Sequence, residues 1–302
     1  MGRRGEGMFE YFAQLTLNGL ITGTILALTG VGASLVFGIQ RVANFAHGEY
    51  MTIGVYVALV LNVGLGQNLV VSALGAMVAT AALAVGIHFS VLRPLRGRGL
   101  VAMSLITVGL GLMLRHLLFL VAGAGIHQYR IDQSAVFDLR IVRVSPGQAV
   151  ALAVAIVVAP AVALLLARTP IGKAMRAVSE NRDLAGISGI DVDRIGVAVW
   201  LFAGALAGLG GVMFAVVQGP FDPNLGSQVL FLIFTTVVLG GIGSAYGALV
   251  GGIVLGLVMD LSTWSGFGGG LDARFRPVLA FAVLILLLLY RPQGLFGKAR
   301  VL

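Results

Sequence analysis

The stretch RTPIGKAMRAVSENRDLAGISGIDVDRI (168–195) is the one dense polar interruption in an otherwise apolar chain. Between 168 and 194 it holds five basic and four acidic residues. Pro170 suits a first helical turn, where no amide donor is needed. Ile171, Ala174, Met175 and Val178 then recur at helical spacing, with Lys173, Arg176, Glu180 and Arg182 elsewhere on the surface. The pattern predicts an amphipathic helix over 171–184, a turn through Gly186, Ser188 and Gly189, and a return to apolar sequence after Asp191 and Asp193. Such a helix lies along a membrane surface, where it either anchors among headgroups or receives a soluble partner. Lipid anchors favour Lys and Arg over balanced acids, so the mixed charge points to docking.

Outward from that stretch, 58% of the 302 residues are hydrophobic and 11% are charged, and the mean hydropathy is +1.01. A water-soluble globule of this size needs more charge. The apolar runs approach the ~20 residues of a membrane-crossing helix and lack the alternation of a transmembrane β-barrel. The expected fold is all-α: one polytopic transmembrane helical bundle over 1–302, with a cytoplasmic polar helix. Runs near 12–39, 48–63, 69–91, 100–122, 147–167, 195–217, 229–240, 246–264 and 275–290 give eight or nine spans. The first run is too long for a signal-peptide h-region. Glycine pairs Gly19/Gly23, Gly204/Gly208 and Gly247/Gly251 have the spacing of close helix packing. The absence of cysteine excludes disulfides and thiolate metal sites.

Arg93, Arg96 and Arg98 share a loop without acids, which places it in the cytoplasm, and two spans later the 168–194 stretch is cytoplasmic too. The run 229–264 would be roughly 54 Å long as one helix, against a ~30 Å core, so it must break. The glycines at 240, 241 and 243 mark the place, and the break puts Arg291, Lys298 and Arg300 inside. The same parity puts the N-terminus outside, with Arg3 and Arg4. A re-entrant segment around 37–48 would move it inside.

Polar residues near membrane depth are the candidates for function. Asn44, His47 and Glu49 either line a path or cap and stabilise a loop, with Arg41 or His47 as the nearest partners for Glu49. The 240–244 break either holds the charged ends of a substrate or is a tight turn. Thr107 and Ser104 precede Arg115 and His116; Arg115 is read as structural, by snorkelling. His88 and Asp260 are read as interfacial.

The segment GKAMRAVSENRDLAGISGIDVDRI resembles the cytoplasmic coupling loop of permease subunits from branched-chain amino acid ABC importers. Asn44-Phe45-Ala46-His47-Gly48-Glu49, Val238-Leu239-Gly240-Gly241-Ile242-Gly243-Ser244 and Arg291-Pro292-Gln293-Gly294-Leu295-Phe296-Gly297 agree with the same family, in order, over nearly the whole chain. By length the chain is similar to the smaller of the two permease types. The resemblance implies a coupling loop that fits a groove on an ATPase, formed by Gly172, Lys173, Met175, Arg176, Ala177, Glu180, Asn181, Leu184, Ala185 and Gly189. It further implies a translocation path or gate at Asn44, His47, Gly48, Glu49, Thr107, Gly240, Gly241 and Gly243. Two ABC ATPase subunits carrying ATP and magnesium, a second related permease in a heterodimer and an extracytoplasmic binding protein complete the implied assembly. Its place is a bacterial or archaeal plasma membrane, and its substrate a branched-chain or related small amino acid. Urea and short amides are the alternative within the family.

No nucleotide-binding G-x-x-x-x-G-K-[ST] motif occurs, nor a metal cluster or nucleophile elbow. The chain is therefore expected to bind no cofactor or metal and to hydrolyse no ATP itself. The basic residues sit at the ends of apolar runs, which suits membrane orientation and not nucleic acid. The rivals are an ion-coupled secondary transporter, relying on Glu49 and Asp260, and a passive channel or membrane scaffold.

Overall fold

The computed structural model describes residues 2–95, 97–131, 136–138, 140–264 and 271–297. Of the residues that bear on orientation, Arg96, Lys298, Arg300 and the side chains of Arg3 and Arg4 lie outside the described residues. The chain folds into helices α1 (Gly2–Gln40), α2 (His47–Leu59), α3 (Leu69–Ile87), α4 (Leu100–Ala122), α5 (Pro146–Arg168), α6 (Pro170–Glu180), α7 (Arg182–Ile187), α8 (Val192–Gln218), α9 (Leu225–Gly240), α10 (Ala245–Leu261) and α11 (Arg276–Tyr290). A two-residue hairpin, β1 (Phe137–Asp138) with β2 (Arg143–Val144), was not expected.

Small residues set the packing. A Cβ on Gly19 or Gly23 of α1 would stand 2.9 Å from Leu257 Cα or 2.8 Å from Ile253 Cα of α10. On Gly204 or Gly208 of α8 it would meet Ala81 Cα at 2.8 Å or the Ala76 carbonyl at 2.9 Å on α3, and on Gly251 of α10 the Gly240 amide nitrogen at 2.9 Å. All three predicted glycine pairs thus mark backbone-to-backbone contacts. Gly54 of α2 meets Gly208 in the same way, with Gly208 Cα at 2.7 Å.

α1, α8 and α10 form the interior, and α2 is enclosed among α3, α4, α8 and α9. The segment 41–46 does not simply turn at the end of α1. His47 Nε2 lies 3.1 Å from the Thr29 carbonyl, a position roughly 16 Å inside the end of α1 at 1.5 Å per residue. The chain re-enters the bundle and starts α2 there.

Contacts define two ends of the bundle. At one end Tyr11 donates to the Thr263 carbonyl at 3.3 Å, the Arg143 amide to Gln14 at 2.8 Å and the Arg130 amide to Asn62 at 2.9 Å. At the other lie the end of α1, α6, the α9–α10 break and the Arg93–Asp193 pair at 3.8 Å. The N-terminal end of α1 is therefore opposite α6. Re-entry does not reverse this, because α2 runs on to the Asn62 end.

Among the described residues, six helical segments are long and apolar enough to cross a membrane, or seven if α9 and α10 count as one span bent by 119°. That is fewer than the eight or nine expected. The difference has a physical source: α2 has 13 residues, α9 has 16 and α10 has 17, each short of the ~20 needed for a full crossing as regular helix.

Candidate coupling and translocation sites

The polar stretch folds as predicted at its start and differently at its end. Thr169 accepts from the Gly172 amide at 3.0 Å and caps α6, with Pro170 in the first turn. The helix stops at Glu180 because Asn181 is extended and uses its side chain to cap α7, accepting from the Leu184 amide at 3.0 Å. One helix over 171–184 is thus two.

The apolar face points inward. Met175 is 1% exposed and Val178 is 2% exposed, both within the main core. Gly172 is buried where a Cβ would stand 2.6 Å from Leu166 Cα, so it lets α6 fold back on α5. Arg176 donates to the Ala167 carbonyl at 3.2 Å, closing the C-terminal end of α5. Ala177 is half-buried and Ala185 is buried. The exposed set is a different one: Lys173, Glu180, Asn181 and Gly189, with Ile171 (53%), Leu184 (60%) and Ile187 (85%). Gly189 has a φ of +86° and turns the chain after α7 with open space around it.

The inner face of α6 touches the α9–α10 break. Ser179 donates to the Gly243 carbonyl at 3.3 Å, and a Cβ on Gly38 of α1 would stand 2.7 Å from Ser179 Oγ and 2.9 Å from Gly243 Cα. Gly241 and Gly243 have φ of +104° and +83°. The carbonyls left over at the end of α9 are taken within the chain: the Leu295 and Phe296 amides donate to Leu239 and Gly240 at 2.9 and 3.0 Å. Ser244 caps α10 by accepting from the Gly247 amide at 3.0 Å. The break therefore lies beside α6 at the bundle end, with the Leu239 and Gly240 carbonyls before it occupied by the 291–297 segment. Neither Ser179 nor this capping role of 291–297 was legible from spacing.

The second cluster sits deeper. Asn44 accepts from the Ala46 amide at 3.2 Å, which stabilises the re-entrant turn; Ala46, not Asn44, precedes the first turn of α2, and no side chain caps it. Thr107 of α4 ties down the same turn, accepting from the Phe45 amide at 3.1 Å and standing 2.9 Å from the Ala43 carbonyl. Gly48 packs against Gly226 of α9, whose amide donates to Thr52 at 2.9 Å.

Glu49 is buried, and its partner is neither Arg41 nor His47. Arg115 of α4 donates to Glu49 Oε1 from Nε at 3.0 Å and from a second guanidinium nitrogen. This also replaces snorkelling as the account of Arg115. His88 and Asp260 lie beside the ends of α3 and α10 but are buried within the protein: His88 stacks on Trp200 at 5.7 Å, and Asp260 pairs with Arg276 at 3.0 Å. In the 123–145 connection, Tyr129 donates to the Val55 carbonyl at 3.0 Å, and burial holds its hydroxyl above the ordinary tyrosine range, so it stays a neutral donor.

A family model described as the branched-chain amino acid transport system / permease component matches residues 15–288. This chain belongs to that family. Among its relatives, the high-affinity branched-chain amino acid transport system permease protein LivH of Escherichia coli K12 is 30% identical, covering 97% of this chain and 98% of the relative. BraD of Pseudomonas aeruginosa, with the same description, is also 30% identical with the same coverage. LivM of Escherichia coli K12 is 27% identical over 91% of this chain and 68% of its own length. No solved structure matches the chain. A member of this permease family with relatives in bacteria and in the archaeon Methanocaldococcus jannaschii, and with several helices of membrane-crossing length, is a multi-pass protein of the plasma membrane.

Proposed function

We propose that this permease is a translocation subunit of an ATP-driven importer for leucine, isoleucine, valine or related small amino acids. It hydrolyses no ATP; two ABC ATPases binding ATP and magnesium dock on α6–α7, a related permease completes a heterodimeric pathway, and an extracytoplasmic binding protein delivers substrate at the opposite end. In the membrane the chain makes nine crossings: the re-entrant turn with α2 makes one, and α9 and α10 make two joined at the break.

One observation carries the reading. α6 is amphipathic in the sense required of a lever: its apolar face is fixed in the core and bonded to the break through Ser179, while Ile171 and Lys173, with Leu184 and Ile187 of α7, stand free on its outer side. Force applied to that outer side passes directly to α1 at Gly38 and, through the break at Gly243, to α9 and α10. Glu49 and Asp260, the carboxylates an ion-coupled transporter would use, are each held by an arginine, which argues against that rival.

The test is a detergent pull-down of the tagged chain from its native membranes, with partners identified by mass, for wild type beside a Leu184→Asp variant. An ATPase and a second permease recovered with the wild type, with the ATPase reduced in the variant, are expected. Recovery of the chain without any ATPase would overturn the reading.

A further inference from the structure

We infer that the cavity under the α8–α9 connection is an outer receiving site that takes substrate by its ammonium group, on Asp222 and Tyr56. The inference rests on the importer reading and adds where, and by which group, an amino acid is first held.

The cavity has a volume of about 130 Å³ and is lined by Ile126, Phe214, Gln218, Asp222, Leu225 and Gln228. It lies at the end of the bundle opposite α6, where two connections bridge each other. The His127 amide donates to the Phe221 carbonyl and the Phe221 amide to the His127 carbonyl, both at 2.9 Å. Gln218 ends α8 and Leu225 starts α9, so the walls are loops and terminal turns and not the lipid-facing side of a crossing. Sites for drug-sized ligands run to roughly 300–1,000 Å³; this one has room for a small solute.

Its polar groups are left over by the fold. Asp222 Oδ1 accepts from the Asn224 amide at 2.7 Å, and among the described residues no cation pairs with the carboxylate. Behind the lining, Tyr56 of α2 packs edge-on against Phe221 at 5.8 Å and His127 at 5.5 Å. Tyr56 is 6% exposed, and its hydroxyl and His127 Nε2 are both buried without a hydrogen-bond partner. The Asp222 carboxylate is within electrostatic reach of that hydroxyl.

Buried polar atoms are nearly always bonded, so these orphans beside an unpaired carboxylate point to a group from outside. A primary ammonium fits, because it brings positive charge and several N–H donors on one atom. Phe214, Leu225 and Ile126 give an aliphatic side chain its apolar wall, and the exposed amides of Gln218 and Gln228 supply donors for the substrate carboxylate. Urea and uncharged amides carry no charge for Asp222.

The chain has no cysteine, so Ile126→Cys, at a position 77% exposed, gives the cavity a single reporter thiol. The complete transporter, co-expressed with its companion subunits and with the binding protein left out, is labelled with a maleimide, and the band of this chain is followed. Leucine and leucinamide, which share the ammonium, should each slow labelling about threefold or more; 4-methylpentanoate, which lacks it, should not. Asp222→Asn keeps the Oδ1 acceptor for the Asn224 amide and removes only the charge. It should raise the leucine concentration needed for protection by about tenfold or more, the loss expected for one charge-assisted interaction. Tyr56→Phe removes a hydroxyl that has no partner within the protein, so weaker protection there reads a ligand contact; it carries the comparison if Asp222→Asn does not assemble. Labelling that leucine fails to slow up to its solubility limit overturns the site. So does protection by 4-methylpentanoate equal to that by leucinamide, or wild-type protection in Asp222→Asn. These outcomes leave ATP-driven leucine uptake by the wild-type complex with its binding protein intact; absence of that uptake brings down the importer reading, and the site with it.

Discussion

Ser179 on α6 and Gly243 in the α9–α10 break are joined directly, hydroxyl to carbonyl at 3.3 Å, with Gly38 of α1 packed against both. The helix proposed to receive the ATPase therefore bears on two other elements at one point. Gly38→Val should act there most strongly, since its Cβ would stand 2.7 Å from Ser179 Oγ and 2.9 Å from Gly243 Cα. The expected outcome is an assembled complex that hydrolyses ATP but moves several-fold less substrate per ATP. Ser179→Ala should cost only about 0.5–1.5 kcal/mol. An unchanged transport ratio in Gly38→Val would remove this junction from the coupling route.

Met175→Asp should disable the protein by unfolding it. The side chain is buried in the chain's own core, and a carboxylate there without a partner costs several kcal/mol. A thermal melt in detergent should show a large loss for Met175→Asp and little change for Leu184→Asp or Lys173→Glu. Equal melting of all the variants would mean that α6 is not seated as described.

Removing the tail should loosen the break. Truncation after Tyr290 leaves the Leu239 and Gly240 carbonyls without their Leu295 and Phe296 donors. Each lost bond costs about 1 kcal/mol, and more where water cannot reach the carbonyl. Faster hydrogen exchange over 241–248, with α1 and α8 unaffected, is the expected signature.

Gly23→Val and Gly208→Val should each block folding. The atom added at Gly23 meets backbone, at 2.8 Å for Ile253 Cα, and the atom added at Gly208 meets the Thr80 hydroxyl as well as the Ala76 carbonyl at 2.9 Å; overpacking of this kind typically costs about 1–3 kcal/mol or more. Gly189→Ala, by contrast, has free space but a φ of +86°, so its cost is backbone strain alone, about 1 kcal/mol. Expression and monodispersity on size exclusion separate the two cases.

The sequence by itself determined the features that composition and local pattern control. Low charge and long apolar runs required a helical membrane protein. The amphipathic spacing after Pro170 required α6, and the glycines at 240, 241 and 243 required the break between α9 and α10. These were legible because helix periodicity, helix length and φ restrictions act within a few residues of one another. Only the tertiary structure decided where those features point. Which side of α6 is free, why 41–46 returns to Thr29, and that Glu49 finds Arg115 sixty-six residues away all depend on which helices become neighbours. The physical reason is that burial and charge pairing act between whatever side chains packing brings within a few ångströms, and packing here is set by glycine contacts between helices far apart in sequence. That is why Met175 has the pattern of a docking face yet lies in the core, and why the carbonyls at the end of α9 find their donors in the chain's own tail, some fifty-five residues on.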